Sequence, residues 1–338
     1  MNQDTHTPSS TAAVACDACQ DTGNHRLVQA REMMFGLRDR FTYQECGACG
    51  HLQLLDPPAD LERYYPSEYY SLSPPDPPPA GGPGPLTRQG ADLLLRLPPR
   101  TLDALGQRGP LRPFRMLAGL GLSTRSRICD VGSGSGELLV RLRSLGFRDL
   151  LGIDPYIAAD REVAPSVWVR KADIAAMHGS FDAILLNHSL EHMASPCTVL
   201  ARLRSRLRPG GAIIVRVPLA GTHAWQHYGS DWVGLDPPRH LFVPTEQSMT
   251  RLAQRAGLRV ERVFHDSHAL QFWGSEQYRR QIPLRDPESW AESPTHSSYS
   301  HKDIARWHRQ ARKLNAAGRG DSAGFVLRPH ASAPTDPA

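Results

Sequence analysis

Apolar residues recur along this chain in short runs bounded by turn residues, with helix-period stretches between them, and that alternation predicts layers of strand and helix. Arg127-Ile128-Cys129-Asp130-Val131 reads as a buried strand entering a glycine-rich turn. Leu138, Leu139, Leu142 and Leu145 then fall at helical spacing until Gly146 stops them. Leu150 to Ile153, Val167 to Val169, Phe181 to Leu186 and Ala212 to Val217 read as four further strands. Before the last of these, Pro196 fits the start of a helix with Val199, Leu200, Leu203 and Leu207 on one face, which leaves Cys197 incidental. The turn Leu207-Arg208-Pro209-Gly210-Gly211 ends that helix. Thr245 caps a later helix carrying Met249, Leu252 and Ala256. Arg259 to Phe264 alternates as a sixth strand, residues 301–316 are helical, and Ala323 to Leu327 is a last strand.

Ahead of this pattern the chemistry changes. Cys16-Asp17-Ala18-Cys19 is matched by Cys46-Gly47-Ala48-Cys49. Each C-x-x-C offers two thiolates from one tight knuckle, and two knuckles complete a tetrahedral shell. Arg26-Leu27-Val28 and Phe41-Thr42-Tyr43 fit short strands between them, so residues 1–72 read as a zinc ribbon with a closed, structural Zn2+ on Cys16, Cys19, Cys46 and Cys49. The competing readings are a pair of disulfides or a redox dithiol pair. The N-terminus from Met1 to Ala13 is polar with no hydrophobic signal region, which weighs against stable disulfides and favours a cytoplasmic location. His51, beside the second knuckle, reads as an exposed histidine.

The tyrosines at 64, 65, 69 and 70 form either a packing surface or a lid, and Tyr70 is a candidate to touch substrate. Residues 73–100, opening with a run of proline and glycine, read as a linker to a main domain over 101–328; helical pieces between 87 and 121 cover a sheet edge, and 329–338 is a disordered tail.

Composition narrows the class without choosing a function. With 338 residues, 40% of them hydrophobic, the chain can bury a real core, and no run approaches the roughly 18 apolar residues of a membrane helix. The net charge of +5 comes from arginines dispersed along helices, which read as solvated faces and not as a nucleic-acid stripe.

The glycine turn carries the cofactor signal. Glycines at alternate positions let the backbone approach a ligand closely, and the first N–H groups of the following helix point into the same space. The spacing departs from the dinucleotide pattern, because Gly136 comes one place early and Glu137 stands where the last glycine would be. Taken alone, the stretch fits an ordinary strand-turn-helix as well as a cofactor site. Asp154 follows a second apolar strand about 20 residues after the turn, the separation at which an acid reaches a ribose.

With Asp130-Val131-Gly132-Ser133-Gly134-Ser135-Gly136, the chain resembles the class I S-adenosylmethionine-dependent methyltransferases. Asn187-His188-Ser189-Leu190-Glu191-His192-Met193 resembles that family's fourth-strand motif, and Leu207-Arg208-Pro209-Gly210-Gly211 is another family mark. The resemblance spans residues 127–217 and implies a doubly wound, Rossmann-like α/β sheet of seven strands, with an antiparallel hairpin at the end. It implies S-adenosyl-L-methionine as cofactor. Asp130 would lie near its methionine part, Gly132, Ser133, Gly134 and Gly136 would make room for it, Asp154 and Pro155 would meet the ribose, and Asp173 and Ile174 the adenine. Asn187 and His188 would line the methyl-transfer point.

The loop Asp231 to Phe242 is loaded with Trp, Arg and His where methyltransferases insert substrate-binding elements. Trp232 and Arg239 are therefore substrate candidates, Arg239 as anchor of an anionic group. His240 is the preferred general base, with Glu191 and His192 as alternatives; a histidine that only braces its loop is the competing reading for His240, and a capping or packing histidine for His192. A ribbon joined to this domain resembles the deoxysugar C-methyltransferases in part. Their tyrosine-histidine-glutamate-histidine signature is absent, and only His240 stands in a comparable place. The reading is methylation, at oxygen or carbon, of a sugar, nucleotide sugar or glycan or natural-product intermediate. An RNA methyltransferase gripping nucleic acid through the ribbon, and a binding protein on a methyltransferase fold, are the alternatives; neither an Asn-Pro-Pro-Tyr-type motif nor a basic stripe supports the first.

Overall fold

A computed structural model describes residues 14–66, 84–99, 101–102 and 112–330. At the front, β1 (His25–Arg31), β2 (Arg40–Cys46) and β3 (Leu52–Leu55) form an antiparallel meander. A helix, α1, covers Pro85–Arg96 and a shorter one, α2, Arg112–Leu117. The 73–100 stretch is therefore not linker throughout: Pro85 takes the first helical turn, where its missing N–H costs nothing, and Ala91 and Leu95 bury one face in the core.

The main sheet collects β4 (Arg127–Val131), β5 (Asp149–Ile153), β6 (Arg161–Ala164), β7 (Val167–Arg170), β8 (Phe181–Asn187), β9 (Leu207–Pro218), β11 (Leu258–His265) and β12 (Ser322–Pro329); the two-residue strand β10 (Phe242–Val243) belongs elsewhere. Its order is β11-β12-β9-β8-β4-β5-β7-β6. The pairs β4–β5, β4–β8, β5–β7 and β8–β9 are parallel, while β11–β12 and β12–β9 are antiparallel. All seven strands read from the sequence are present, and the order reverses beside β4, where a doubly wound sheet opens its ligand crevice. An eighth, β6, adds an antiparallel edge beyond β7. Residues 207–211 extend β9 instead of forming a separate turn: Leu207 pairs with Phe181, and the register shifts before Ala212 meets Ala183.

Helices cover both faces because their apolar stripes match the two sides of the pleat. Leu139 and Leu142 of α3 (Glu137–Ser144) pack with Phe147 on one side. Leu200 and Leu203 of α4 (Pro196–Arg204) and Met249 and Leu252 of α6 (Glu246–Arg255) pack on the other, α5 being His223–Tyr228. Thr245 caps α6, its hydroxyl accepting from the Ser248 N–H at 3.1 Å. Each fully buried leucine contributes about 1.5–3 kcal/mol. Two further helices, α7 (Leu270–Arg279) and α8 (His301–Ala316), complete the wall near the C-terminus. No helix among the described residues is long and apolar enough to cross a membrane.

The ribbon does not stand apart. Phe242 pairs with Gln53 and Val243 with Leu52, so β10 of the main domain becomes the fourth strand of the ribbon sheet. Cys16, Ala18, Cys46 and Cys49 share one core with Met249, Leu252 and Phe325. A boundary at 72 thus separates segments of sequence that share one sheet and one core.

Candidate active site and cysteine cluster

At the carboxyl ends of β4, β5 and β8 lies a cavity of about 1540 Å3. The chain enters its floor through the turn after β4, where Gly132 has φ +70° and a Cβ would meet that of Ser189 at 2.5 Å. Ser189 is fixed there by donating to the Val131 carbonyl at 2.7 Å. Only glycine fits a left-handed residue this close to the neighbouring strand end.

Two acids face this turn. Asp154 accepts from Gly134 N–H on Oδ2 and from Tyr156 N–H on Oδ1, each at 2.8 Å. Each oxygen keeps a lone pair, so a diol would find the carboxylate already aimed. Asp130 is buried and its Oδ1 has no partner; burial, and then the charge of Asp154, push its pKa up to about 8. The Ser133 hydroxyl is buried and unpartnered as well. Such orphans are costly unless a bound group answers them. Gly132, Ser133, Gly134, Pro155, Asp173, Ile174, Asn187 and His188 line the same cavity. Asp173 caps its own turn by accepting from Ala176 N–H at 2.9 Å, and Asn187 accepts from the Arg216 guanidinium.

Gly136 departs from the expectation. It is absent from the cavity wall, and its Cβ would strike Val169 at 2.9 Å, so this glycine admits α3 to the edge strands and makes no room for a ligand.

The three candidate bases come together. Glu191 and His192 lie on a short turn, Leu190–His192, after β8, and the Glu191 carbonyl accepts from Leu241 N–H at 2.8 Å, which draws the loop carrying His240 alongside. The His192 and His240 rings stand edge to face, 4.8 Å between centroids. His192 lines the cavity, with Nδ1 at 2.9 Å from the Arg239 carbonyl and 3.0 Å from the Tyr65 hydroxyl. His240 lies behind it, outside the wall. Its Nδ1 is 3.0 Å from the Gly234 carbonyl, and burial, then the neighbouring His192, lower its pKa to about 4. Glu191 is 0% exposed and neither carboxylate oxygen has a hydrogen-bond partner; His188 Nδ1 is 3.4 Å from Oε1. Burial alone would raise its pKa, yet the surrounding histidines hold it below the usual range.

The loop's other candidates do not reach the cavity. Arg239 is 0% exposed and ion-paired with Glu32 at 2.9 Å and Asp236 at 2.6 Å, and it also donates to the Tyr64 carbonyl. A guanidinium with its donors spent inside the protein cannot anchor a substrate. Trp232 is likewise fully buried, with its indole N–H on Asp321 at 3.0 Å. Tyr70 lies outside the described residues; of the described tyrosines of that stretch, Tyr65 meets the cavity. Beyond these, the wall includes Arg115, Arg216, Asp266, His268, His308 and Arg312. Arg216, inside the apolar strand Ile213 to Val217, gave a readable signal as a charge in a buried run; it is ion-paired with Asp266. The others come from separate elements and leave no local pattern.

In the cysteine cluster, Cys16 Sγ is 3.7 Å from Cys49 Sγ and Cys19 Sγ 3.5 Å from Cys46 Sγ, with all four sulfurs mutually within 4.8 Å and none in a disulfide. A tetrahedral shell with metal–sulfur bonds of about 2.3 Å puts sulfurs about 3.8 Å apart, and the cluster fits it. His51 is buried, not exposed, and stacks on Phe242 with centroids 5.4 Å apart.

Fold, glycine turn and paired strand-end acids define a class I S-adenosylmethionine-dependent methyltransferase. Residues 88–263 match the family model described as a methyltransferase domain, and the chain belongs to that family. It is 32% identical over 132 residues to the trans-aconitate 2-methyltransferase of Deinococcus radiodurans, covering 38% of this chain and 46% of that protein. It is 26% identical over 151 residues to the tRNA U34 carboxymethyltransferase of Trichlorobacter lovleyi, covering 39% and 44%. The chain thus spans less than half the length of these curated relatives. Among solved structures, the cyclopropane synthase MmaA2 from Mycobacterium tuberculosis is 15% identical with a TM-score of 0.39, covering 61% of this chain and 79% of that one.

Proposed function

We propose that this protein methylates a small molecule, of the sugar, nucleotide-sugar or natural-product-intermediate kind, inside the cavity above β4. The observation that carries the reading is the size and zoning of that cavity. At about 1540 Å3 it exceeds the roughly 300–1,000 Å3 of a single small-ligand site, leaving room for an acceptor beside a cofactor. One end carries the glycine turn with Asp130, Asp154, Asp173 and Ile174. The other gathers Arg115, Arg312, His268 and His308 around the Arg216–Asp266 ion pair, a lining suited to an acceptor with phosphate or carboxylate groups.

S-adenosyl-L-methionine, when bound, supplies an activated sulfonium methyl. Asp154 holds the ribose hydroxyls with its remaining lone pairs, and the unpartnered Asp130 Oδ1 and Ser133 Oγ accept or donate to the methionine end. Asn187 and His188 border the transfer point. As the acceptor forms its new bond to carbon it gives up a proton, and His192 is the member of the base trio that fronts the cavity to take it. Most of the rate gain on this reading comes from alignment and the exclusion of water. The four thiolates hold a structural Zn2+ that keeps the ribbon, and with it Tyr65, against His192.

The test is incubation with methyl-labelled S-adenosylmethionine and separate pools of nucleotide sugars, carboxylic-acid metabolites, transfer RNA and protein. Label in the first or second pool supports the reading. Label confined to RNA overturns it.

A further inference from the structure

Glu191, His192 and His240 each carry an atom able to take a proton. Their geometry fits something more specific. A backbone carbonyl can only accept, so Nδ1 of His240, facing the Gly234 carbonyl at 3.0 Å, carries the hydrogen, and so does Nδ1 of His192, which faces the Arg239 carbonyl at 2.9 Å and, at 3.0 Å, the Tyr65 hydroxyl oxygen, an acceptor sharing that hydrogen. Both Nε2 lone pairs are then free. This is the arrangement in which imidazole binds metals, with the second nitrogen pinned by an outer-shell acceptor that fixes tautomer and ring. Beside the rings stands Glu191, wholly buried, its two oxygens without a partner of good hydrogen-bond geometry and the His188 Nδ1 3.4 Å from Oε1. His240 Nε2 is 4.0 Å from its Oε1, and one ligand atom from each of the three residues falls within 4.8 Å of the others.

We propose that Glu191, His192 and His240 form a second metal site, for a divalent first-row transition ion such as Zn2+, Mn2+ or Co2+. Two imidazoles and one carboxylate are a donor set that such ions take, leaving coordination positions open. Bonds of about 2.1 Å place neighbouring ligand atoms about 3 to 3.5 Å apart, so the three side chains close by about 1 Å on an ion. The backbone is already set for this by the Glu191–Leu241 hydrogen bond, and Asp236 Oδ2, 3.9 Å from His240 Nε2, supplies further negative charge. His192, in the cavity wall, gives the ion its route in and its open face. The site stands on geometry alone; its use rests on the methyl-transfer reading. There, the ion would lower the pKa of an acceptor hydroxyl held at the open position, the proton would pass to solvent water, and His192 would serve as ligand in place of base.

The experiment counts metal in the full chain after loading with Zn2+ and removal of excess, and repeats it with Co2+. Wild type holds two ions per chain, and Glu191→Gln, of equal size, holds one fewer, as does His240→Gln. Circular-dichroism melts of both variants report folding, and the thiolate-to-Co2+ charge-transfer band reports the cysteine site separately. A wild type with no ion beyond the thiolate-bound one overturns the proposal, as does a second ion that survives in both variants. Because the readout is stoichiometry, failure of the metal site leaves a labelled methyl product intact, and absence of any methyl product leaves the ion count standing.

Discussion

Arg239 and Glu32 lie 207 positions apart in sequence and form a 2.9 Å ion pair in which both side chains are completely buried. Glu32 also accepts from the backbone N–H groups of Phe35 and Leu37, and Arg239 holds Asp236 and the Tyr64 carbonyl, so every charge is answered. The pair rivets the ribbon to the loop that bears His240.

Removing one partner strands the other charge in the interior, at a cost of about 3–5 kcal/mol. Arg239→Met, which leaves Glu32 and Asp236 buried without their cation, should fall in that range by urea denaturation; Glu32→Gln, which leaves Arg239 paired with Asp236, should cost less, and the double variant should be less destabilised than the two single losses combined. Additive losses would mean that the pair is not coupled.

Asp130 sets a pH dependence whose sign follows from its raised pKa. Below about pH 4 the acid is protonated folded or unfolded, and it contributes no slope. Between about 4 and about 8 the unfolded chain gives up this proton while the folded chain keeps it, so stability falls as pH rises and levels off above about 8. Asp130→Asn should therefore be more stable than wild type without ligand by a margin that grows to a few kcal/mol across that window. Thermal melts at half-unit pH steps check this, and a flat difference between the two proteins would refute it.

Gly136→Ala and Gly132→Ala should part company. The first forces a Cβ to 2.9 Å from Val169 at φ +88°, and should lower the melting temperature by several degrees while folded molecules bind S-adenosylmethionine as before. The second alters the cavity floor itself and should weaken that binding at least tenfold, measured by calorimetry.

Tyr65→Phe removes one hydrogen bond to His192 and leaves the ring stack with Tyr156, whose centroid is 6.2 Å away. A bond worth about 1 kcal/mol predicts roughly a fivefold loss in kcat/KM with folding unchanged. No change would show that His192 is positioned without the phenol.

The parallel sheet was legible because its strands carry short, mostly buried apolar runs and the helices between them keep their period. The edge strand Arg161–Ala164 was not, since four residues with one buried carry no such pattern. The loop from 231 to 242 shows the harder limit. Its polar and aromatic residues stand out in the sequence, yet sequence cannot say which way they point. Arg239 and Trp232 turn inward to hold the fold, and His192, met by the Arg239 carbonyl of the same loop, turns to the cavity. The joining of ribbon and main domain was equally hidden, because β10 offers two residues and its partner strand lies at the other end of the chain.

That last pairing also orders events in time. While the chain is being made, β3 emerges early and keeps an open edge until Phe242 and Val243 arrive, so the ribbon spends most of synthesis as an unfinished sheet. A fragment cut after residue 66 would carry its four cysteines yet never close that edge, and its hazard would be sticking to copies of itself.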